Sequence, residues 1–434
     1  MPEYNVSLDQ LRVGVFVRLE MKWFAHPFLT NSFKITKPSM IDALRDLGLK
    51  KIICVPEKSD VLPLSLKQES VSAPEPPATP PAPDEEMQKL WAVKKERIEQ
   101  LKKRRQIVAQ CEKRFQSGVT TVKNVMRNIY TGSAESVAEA DELLRDLINS
   151  LDIDKEAAVQ LVNTEMGNQN TYYHSLNVSV LTMMLGREYG LDPGELRLLG
   201  LGALFHDVGK NRIPKTILLK TDPLTPVEAN FLQLHPKYGE EIVSKVEAFP
   251  KESVDIVLHH HERFNGKGYP DRLSGKDISL LTRISAIANS YDNYCNRLDP
   301  RESLTPYEAL SRMFALESDA FDKELLSLFI QCLGVYAPGT IVKLSNGLIG
   351  LVISVTRNNP LKPNIVVYDP QIPKEEALIF DLRDDPSLTI ERSIRPHHLD
   401  PEIFNYLSPR TRITYYVADS DPSLSNTKPG QELK

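Results

Sequence analysis

Glu195-Leu-Arg-Leu-Leu-Gly-Leu-Gly-Ala-Leu-Phe-His-Asp-Val-Gly-Lys210 is the stretch on which the fold turns. Its apolar residues recur at helical spacing, and the run ends on a histidine beside an aspartate. That pair is carried at a helix end facing the interior. Adjacent His206 and Asp207 offer one ligating nitrogen and two carboxylate oxygens. A carboxylate can bridge two cations; an imidazole cannot. A lone His-Asp dipeptide is common, so its weight comes from its neighbours.

Six of the nine histidines lie between Tyr173 and Glu262, where an even spread would put about two. His174 follows Tyr173 on the preceding apolar run, and His235 sits between Leu234 and Pro236. His259-His-His-Glu262 ends the run Val254-Asp-Ile-Val-Leu258. Any one of these would pass as a core histidine. A helical core does not need all of them near one carboxylate. Neutral imidazoles with carboxylates suit Fe, Mn, Zn or Ni, so the set predicts bound metal. Asn265-Gly-Lys-Gly-Tyr-Pro270 follows at once. Its two glycines allow a tight loop whose exposed backbone N–H groups can approach a ligand or partner.

Helical spacing extends outward from this stretch. It runs through 138–151, 155–164, 174–189, 195–206, 226–235, 253–261, 280–294 and 306–315, with Gly and Pro between. Residues 1–65 read as a small α+β module: a strand over 11–18, a helix over 37–47 ended by Gly48, and a strand over 51–55. Trp23, His26 and Phe28 read there as core or interface. Residues 66–86 hold six prolines between Ala73 and Asp84 and read as a semi-rigid linker. Residues 87–335 form the helical body, opening on a helix whose basic side chains read as a solvated face. Leu90, Ile98, Leu101 and Val108 would pack on another surface, a second copy of the helix being one candidate. Residues 336–417 switch to strands, with Asn346-Gly347 as a hairpin turn. His397-His398 reads as a surface pair, and 418–434 as a disordered tail. The expected fold class is mainly α: a helical catalytic domain with a small N-terminal α+β module and a small C-terminal β appendage.

The chain has 434 residues and a net charge of -5, which argues against bulk nucleic-acid binding but not against one small phosphodiester. The four cysteines are scattered, without a CxxC pair, and read as reduced thiols. No apolar run reaches the ~18 residues of a membrane span, and the N-terminus lacks a secretory signal, so the expected compartment is the cytoplasm.

In this order and spacing, Tyr173-His-Ser175, His206-Asp-Val-Gly-Lys210, Lys220-Thr-Asp-Pro-Leu-Thr225, His235-Pro-Lys-Tyr-Gly239, His260-His-Glu262 and Asn265-Gly-Lys-Gly-Tyr-Pro270 resemble the HD-GYP branch of the HD phosphohydrolases. The resemblance covers residues 120–335. It implies an all-α fold with a bi- or trinuclear metal centre that hydrolyses cyclic di-GMP to linear pGpG or GMP. It also implies that His174, His206 and Asp207 help hold one metal, and that His235, His260 and His261 hold a second, bridged by Asp207. Lys210 matches the lysine at the scissile phosphate, and His259 is a neighbour. The loop of Gly266, Gly268, Tyr269 and Pro270 is implied as a lid or as a contact for diguanylate cyclase (GGDEF-type) domains.

Two positions depart from the family. Its last aspartate ligand falls at Asn289, a neutral and weaker donor. Asn170 stands where members with a third metal carry Glu, so two divalent ions, Fe or Mn, are expected. Asp292 reads as supporting or capping. In the segment beyond, Arg297 and Arg301 are the candidate nucleotide contacts. Two metals would generate a bridging hydroxide and polarise the phosphoryl oxygens, with Lys210 adding positive charge in the transition state. The rival readings are a non-catalytic cyclic di-GMP receptor or scaffold and an HD hydrolase of another nucleotide.

Overall fold

The computed structural model describes residues 3–21, 25–28, 31–64, 85–132, 134–152, 159–161, 170–355, 361–370, 377–383, 388–407 and 415–417, with positions 359, 372 and 374. Trp23, most of the proline-rich stretch and the tail after 417 lie outside these residues. The chain divides into two compact units: Met1–Arg105 with Asn346–Leu348 and Val367–Ile379, and the remainder.

The first unit carries β1 (Tyr4–Ser7), β2 (Phe16–Arg18), β3 (Ser32–Lys34), α1 (Pro38–Asp46) and β4 (Lys51–Cys54). The sheet order is β1-β4-β2-β3, with every pairing antiparallel. The strand expected over 11–18 begins only at Phe16, because Gly14 takes a left-handed φ of 96° and turns the chain. Pro38 opens α1 at its first turn, where its missing N–H costs nothing, and Ala43 and Leu44 face the core. Val15, Val17, Leu19, Ile35, Leu44 and Cys54 form that core, and Leu90 of the long helix α2 (Glu85–Asn128) packs on it.

The second unit is helical: α3 (Ala134–Asp152), α4 (Asn170–Tyr189), α5 (Pro193–Phe205), α6 (Lys215–Leu218), α7 (Pro226–Leu232), α8 (His235–Val243), α9 (Lys251–His259), α10 (Leu280–Cys295), α11 (Pro306–Ala315) and α12 (Lys323–Leu333). A capping box between Asp192 and Glu195 starts α5, with Pro193 in its first turn. The last six residues of α5, Gly200 to Phe205, are all buried, which makes it the central helix. Small residues set its closest approaches. A Cβ on Gly200 would meet Met183 of α4 at 2.8 Å, and one on Gly202 would meet Ile256 of α9 at 2.7 Å.

The 155–164 expectation is corrected. Val159–Leu161 is a strand, β5, paired antiparallel with Tyr415–Val417, and the rest of that stretch lies outside the described residues. Alternating Val159-Gln-Leu161 suits either state locally, and a partner more than 250 residues away in sequence decides it. Helices α8 and α12 were not anticipated. Pro236 reads as a stop but sits in the first turn of α8, where a proline is tolerated.

The C-terminal sheet has the order β10-β6-β7-β8-β9. Its strands are β6 (Ile341–Leu344), β7 (Ile349–Ser354), β8 (Asn364–Val367), β9 (Ile379–Asp381) and β10 (Ile390–Ile394), followed by α13 (Pro401–Leu407) and the strand partner of β5, β11 (Tyr415–Val417). Asn346-Gly347 does turn the β6–β7 hairpin, with Gly347 at φ 83°. The loop is wider than two residues because Asn346 Oδ1 accepts from the Leu348 N–H at 3.1 Å. The fold class is mainly α, with a small sheet near each end of the chain.

Gly209, two residues past Asp207, lies against α8. A Cβ there would stand 2.0 Å from the His235 carbonyl oxygen and 2.4 Å from the Gly239 nitrogen. Gly209→Ala must therefore push the 208–212 turn off α8. Thermal unfolding should show a loss of about 1–3 kcal/mol. Gly194→Ala, whose nearest obstacle is a flexible side-chain oxygen at 3.1 Å, should stay within about 1 kcal/mol of the parent. Equal effects would exclude the close approach.

Candidate metal centre

Four imidazoles converge on one carboxylate, and each is oriented from behind. Nδ1 of His206 lies 2.7 Å from the Ala203 carbonyl, that of His235 2.7 Å from Leu232, and that of His260 2.9 Å from Val257. All three carbonyls belong to the last turn of the preceding helix, where no intrahelical N–H remains for them. A carbonyl only accepts, so each ring carries its proton on Nδ1. His174 is oriented the same way by a carboxylate, Asp292 Oδ2 at 2.5 Å. Asp292 is itself held by the amides of Asn177 and Asn296.

The four Nε2 atoms then face inward as bare lone pairs. Those of His174 and His206 are 3.1 Å apart, and those of His235 and His260 are 3.2 Å apart. The first pair lies 3.4 Å from Asp207 Oδ2; His235 and His260 lie 3.3 and 3.8 Å from Oδ1. Two groups result, His174-His206-Asp207 and Asp207-His235-His260-His261, each with ligand atoms within 4.8 Å of one another. Lone pairs facing at such distances repel unless a cation lies between them. A proton could serve only by making a buried imidazolium, and burial holds His206, His260 and His261 below their ordinary range. Asp207 is 2% exposed, and its Oδ1 accepts no hydrogen bond. Burial by itself would push Asp207 up, but the Lys210 ammonium opposes it, and the carboxyl lies well below its usual range. Lys210 Nζ sits 2.5 Å from Oδ2. Imidazole nitrogens aimed at a carboxylate with one oxygen unsatisfied are the donor set that divalent metal binding requires.

The 262–271 loop closes over His261. Tyr269 stacks on that ring at 4.6 Å and 18°, and its N–H donates to the His261 carbonyl at 3.3 Å. Glu262 Oε1 accepts from the Asp271 N–H at 2.7 Å. The expectation of exposed backbone at both glycines is corrected at Gly268, which is buried. A Cβ there would fall 2.4 Å from Arg263 N and 2.6 Å from the His261 carbonyl oxygen. Its hydrogen side chain lets the loop lie on the His-His-Glu backbone. Gly266 has the left-handed φ, 74°.

Comparison with known proteins agrees with this arrangement. The family model of the HD domain matches residues 145–325. A domain of unknown function (DUF3391) matches 4–140, and a KOW domain associated with the HD domain matches 341–400. Cyclic di-GMP phosphodiesterase PA4108 of Pseudomonas aeruginosa is 29% identical over 367 residues, 84% of each chain. The cyclic di-GMP phosphodiesterase response regulator RpfG of Xanthomonas campestris is 34% identical over 149 residues, 34% of this chain and 39% of that protein. The 3'3'-cGAMP-specific phosphodiesterase 2 of Vibrio cholerae is 27% identical over 220 residues, 47% of this chain and 42% of that protein. The chain carries an HD domain over residues 145–325, and the relatives it matches are named as cyclic dinucleotide phosphodiesterases.

The other expected site residues fall in mixed places. Asn289 is buried on α10, and its side-chain oxygen accepts from Asn293 Nδ2 at 2.7 Å. The α10 carboxylate that reaches His174 is Asp292. Asn170 opens α4, and its side chain is outside the described set. Arg297 is exposed, and Arg301 is turned to solvent, its side chain 90% exposed and forked on Asp299. Neither arginine is shown against the histidines. His259 points away from Asp207, with Nδ1 at 2.7 Å from Asp255 and Nε2 at 3.1 Å from Asp271. Sequence reading missed Tyr130, whose hydroxyl donates to the Val208 carbonyl at 3.0 Å and accepts from Asn211. It thereby braces the turn after Asp207. No local signal marks a tyrosine at a helix end for that role.

His259 ties the 262–271 loop to α9 through two carboxylates. Burial lowers its pKa, but Asp255 and Asp271 outweigh burial and raise it above the ordinary 6.5. The folded value exceeds the unfolded one, so the contribution to stability is complete below 6.5 and fades as pH rises through the folded value. The thermal-stability gap between the metal-free parent and His259→Gln should therefore be larger near about pH 5.5 than near about pH 8.5. A gap independent of pH would mean that the charged ring contributes nothing.

Proposed function

We propose that this protein is a metal-dependent phosphodiesterase that opens cyclic di-GMP to linear pGpG, a second cut giving GMP. The observation that carries the reading is the pair of facing imidazole lone pairs on either side of Asp207, whose Oδ1 has no hydrogen bond. His174 and His206 with Asp207 Oδ2 would hold one divalent ion; His235, His260 and His261 with Oδ1 would hold a second. Fe and Mn fit a donor set of imidazole nitrogen and carboxylate oxygen. When bound, such ions lower the pKa of a coordinated water and polarise phosphoryl oxygens.

The chain's own groups do the rest. Asp207, held ionised, would offer one oxygen to each ion. Asp292 and the three helix-end carbonyls keep the rings from turning. Lys210 keeps 28% of its side chain exposed, so its ammonium can meet an arriving phosphodiester and stabilise charge building on it. Tyr269 covers His261 as a lid and fixes its plane. Arg297 and Arg301 would meet the distal half of the nucleotide, Arg301 after leaving Asp299. The names of the relatives support the substrate: two of those above are cyclic di-GMP phosphodiesterases, whereas the Vibrio protein's specificity for 3'3'-cGAMP keeps that nucleotide as the second reading. Among the described residues no helix is long and apolar enough to cross a membrane, and a cytoplasmic place is part of the proposal. So is docking of a diguanylate cyclase domain on the 265–270 loop, where Lys267 is exposed, and so is a homodimer.

The test is turnover by anaerobically purified protein of cyclic di-GMP and 3'3'-cGAMP, with Mn or Fe(II) supplied. Asp207→Ala should lose bound metal and turnover together, the rate by several orders of magnitude, while circular dichroism keeps the parent helix content. An active Asp207→Ala protein would exclude the bridged arrangement. Binding without turnover in the parent would favour the receptor reading.

Asn289→Asp places a charged oxygen on α10 at almost unchanged volume. It should tighten metal binding by about 10–100-fold and raise turnover at limiting Mn. A metal titration that leaves occupancy and rate unchanged would show that residue 289 does not reach the metal.

A further inference from the structure

The C-terminal sheet carries a second gathering of cations. The β6–β10 register sets Lys343 directly opposite Arg392, after a bulge between Ile390 and Arg392. Like charges on opposed residues destabilise a strand pair. Bulges serve to re-aim side chains and recur beside binding sites. Both residues line a cavity of about 450 Å³, with Arg395 and His398 on its rim and Ile349 and Ile394 among its apolar lining. Its size falls in the range of small-molecule sites.

The local charges balance in number but not in place. Glu308 of α11 also lines the cavity, but it is engaged by Arg395 at 2.7 Å. Lys343 has Glu391 at 3.2 Å, an exposed pair of the kind that contributes little. Asp400 also lines the cavity, so with Glu391 three carboxylates stand against three permanent cations, and Arg392 is the cation for which no ion pair occurs among the described residues. None of these residues belongs to the histidine cluster.

We propose that this cavity is a second ligand site, for a purine nucleoside monophosphate. The phosphate would lie between Lys343 and Arg392 and relieve their repulsion. The base would rest on the isoleucines, a surface that bare phosphate would not use and that an uncharged ligand would not need cations beside. Arg supplies a fork that matches phosphate oxygens.

The probe is labelled GMP, measured by equilibrium dialysis with the full chain in EDTA, so neither metal nor turnover is needed. Arg392→Gln and Lys343→Gln should each weaken binding by about tenfold or more, as expected for losing one charged hydrogen bond. Each should leave thermal stability unchanged or higher, since a like-charge pair is relieved. Asp207→Asn should bind GMP as the parent does. Guanosine should bind more weakly than GMP, and so should inorganic phosphate. The proposal is overturned if the parent fails to bind at millimolar GMP, or if Arg392→Gln binds like the parent. It is equally overturned if Asp207→Asn abolishes binding, which would place the ligand at the histidines. Inorganic phosphate binding as tightly as GMP would remove the nucleotide assignment.

Discussion

One buried negative charge organises the helical unit. Asp207 is ionised, almost without solvent, and bears an oxygen that no hydrogen bond satisfies. Burying a carboxylate costs several kcal/mol unless positive charge and donors compensate. Here the folded chain supplies the Lys210 ammonium on one oxygen and leaves the other to imidazole nitrogens that have no proton to give. The incomplete compensation is what makes a costly core position suited to a cation.

Keeping those nitrogens bare is a backbone task. Every helix ends with carbonyls that lack an internal N–H partner. In α5, α7 and α9 one such carbonyl takes the Nδ1 proton of a histidine three residues further on. A single interaction thus satisfies the helix end, selects the tautomer and aims the ring. His174 lies within a helix, where the carbonyls are already bonded, and so it borrows a carboxylate from α10. The same division separates His260 from His259. The first is backed by a carbonyl and stays neutral, whereas the second is backed by two carboxylates and is drawn toward its charged form.

Distances between the helix ends are set by glycines. Gly202, Gly209 and Gly268 each occupy a place where a Cβ would strike a neighbour within 2.7 Å. They bring α5 to α9, the turn after Asp207 to α8, and the 262–271 loop to the His-His-Glu backbone. An interior this close-packed transmits any change of volume to the ligand atoms.

The sequence by itself determined most helices of the central body, the gathering of histidines near one carboxylate, and the switch to strands beyond residue 336. Local signals suffice there: apolar spacing of 3.6, caps such as Asp192–Glu195, and an improbable density of one titratable residue type. Tertiary structure decided what depends on distant partners. Val159–Leu161 is a strand only because Tyr415–Val417 pairs with it. Gly268 is buried only because the loop folds back on its own anchor. Asp292 meets His174 Nδ1 because α10 packs beside α4, a contact that spacing along the chain does not fix. Spacing along a chain fixes which residues share a helix face. It does not fix which groups on other helices their atoms will meet, because packing, not periodicity, sets those distances.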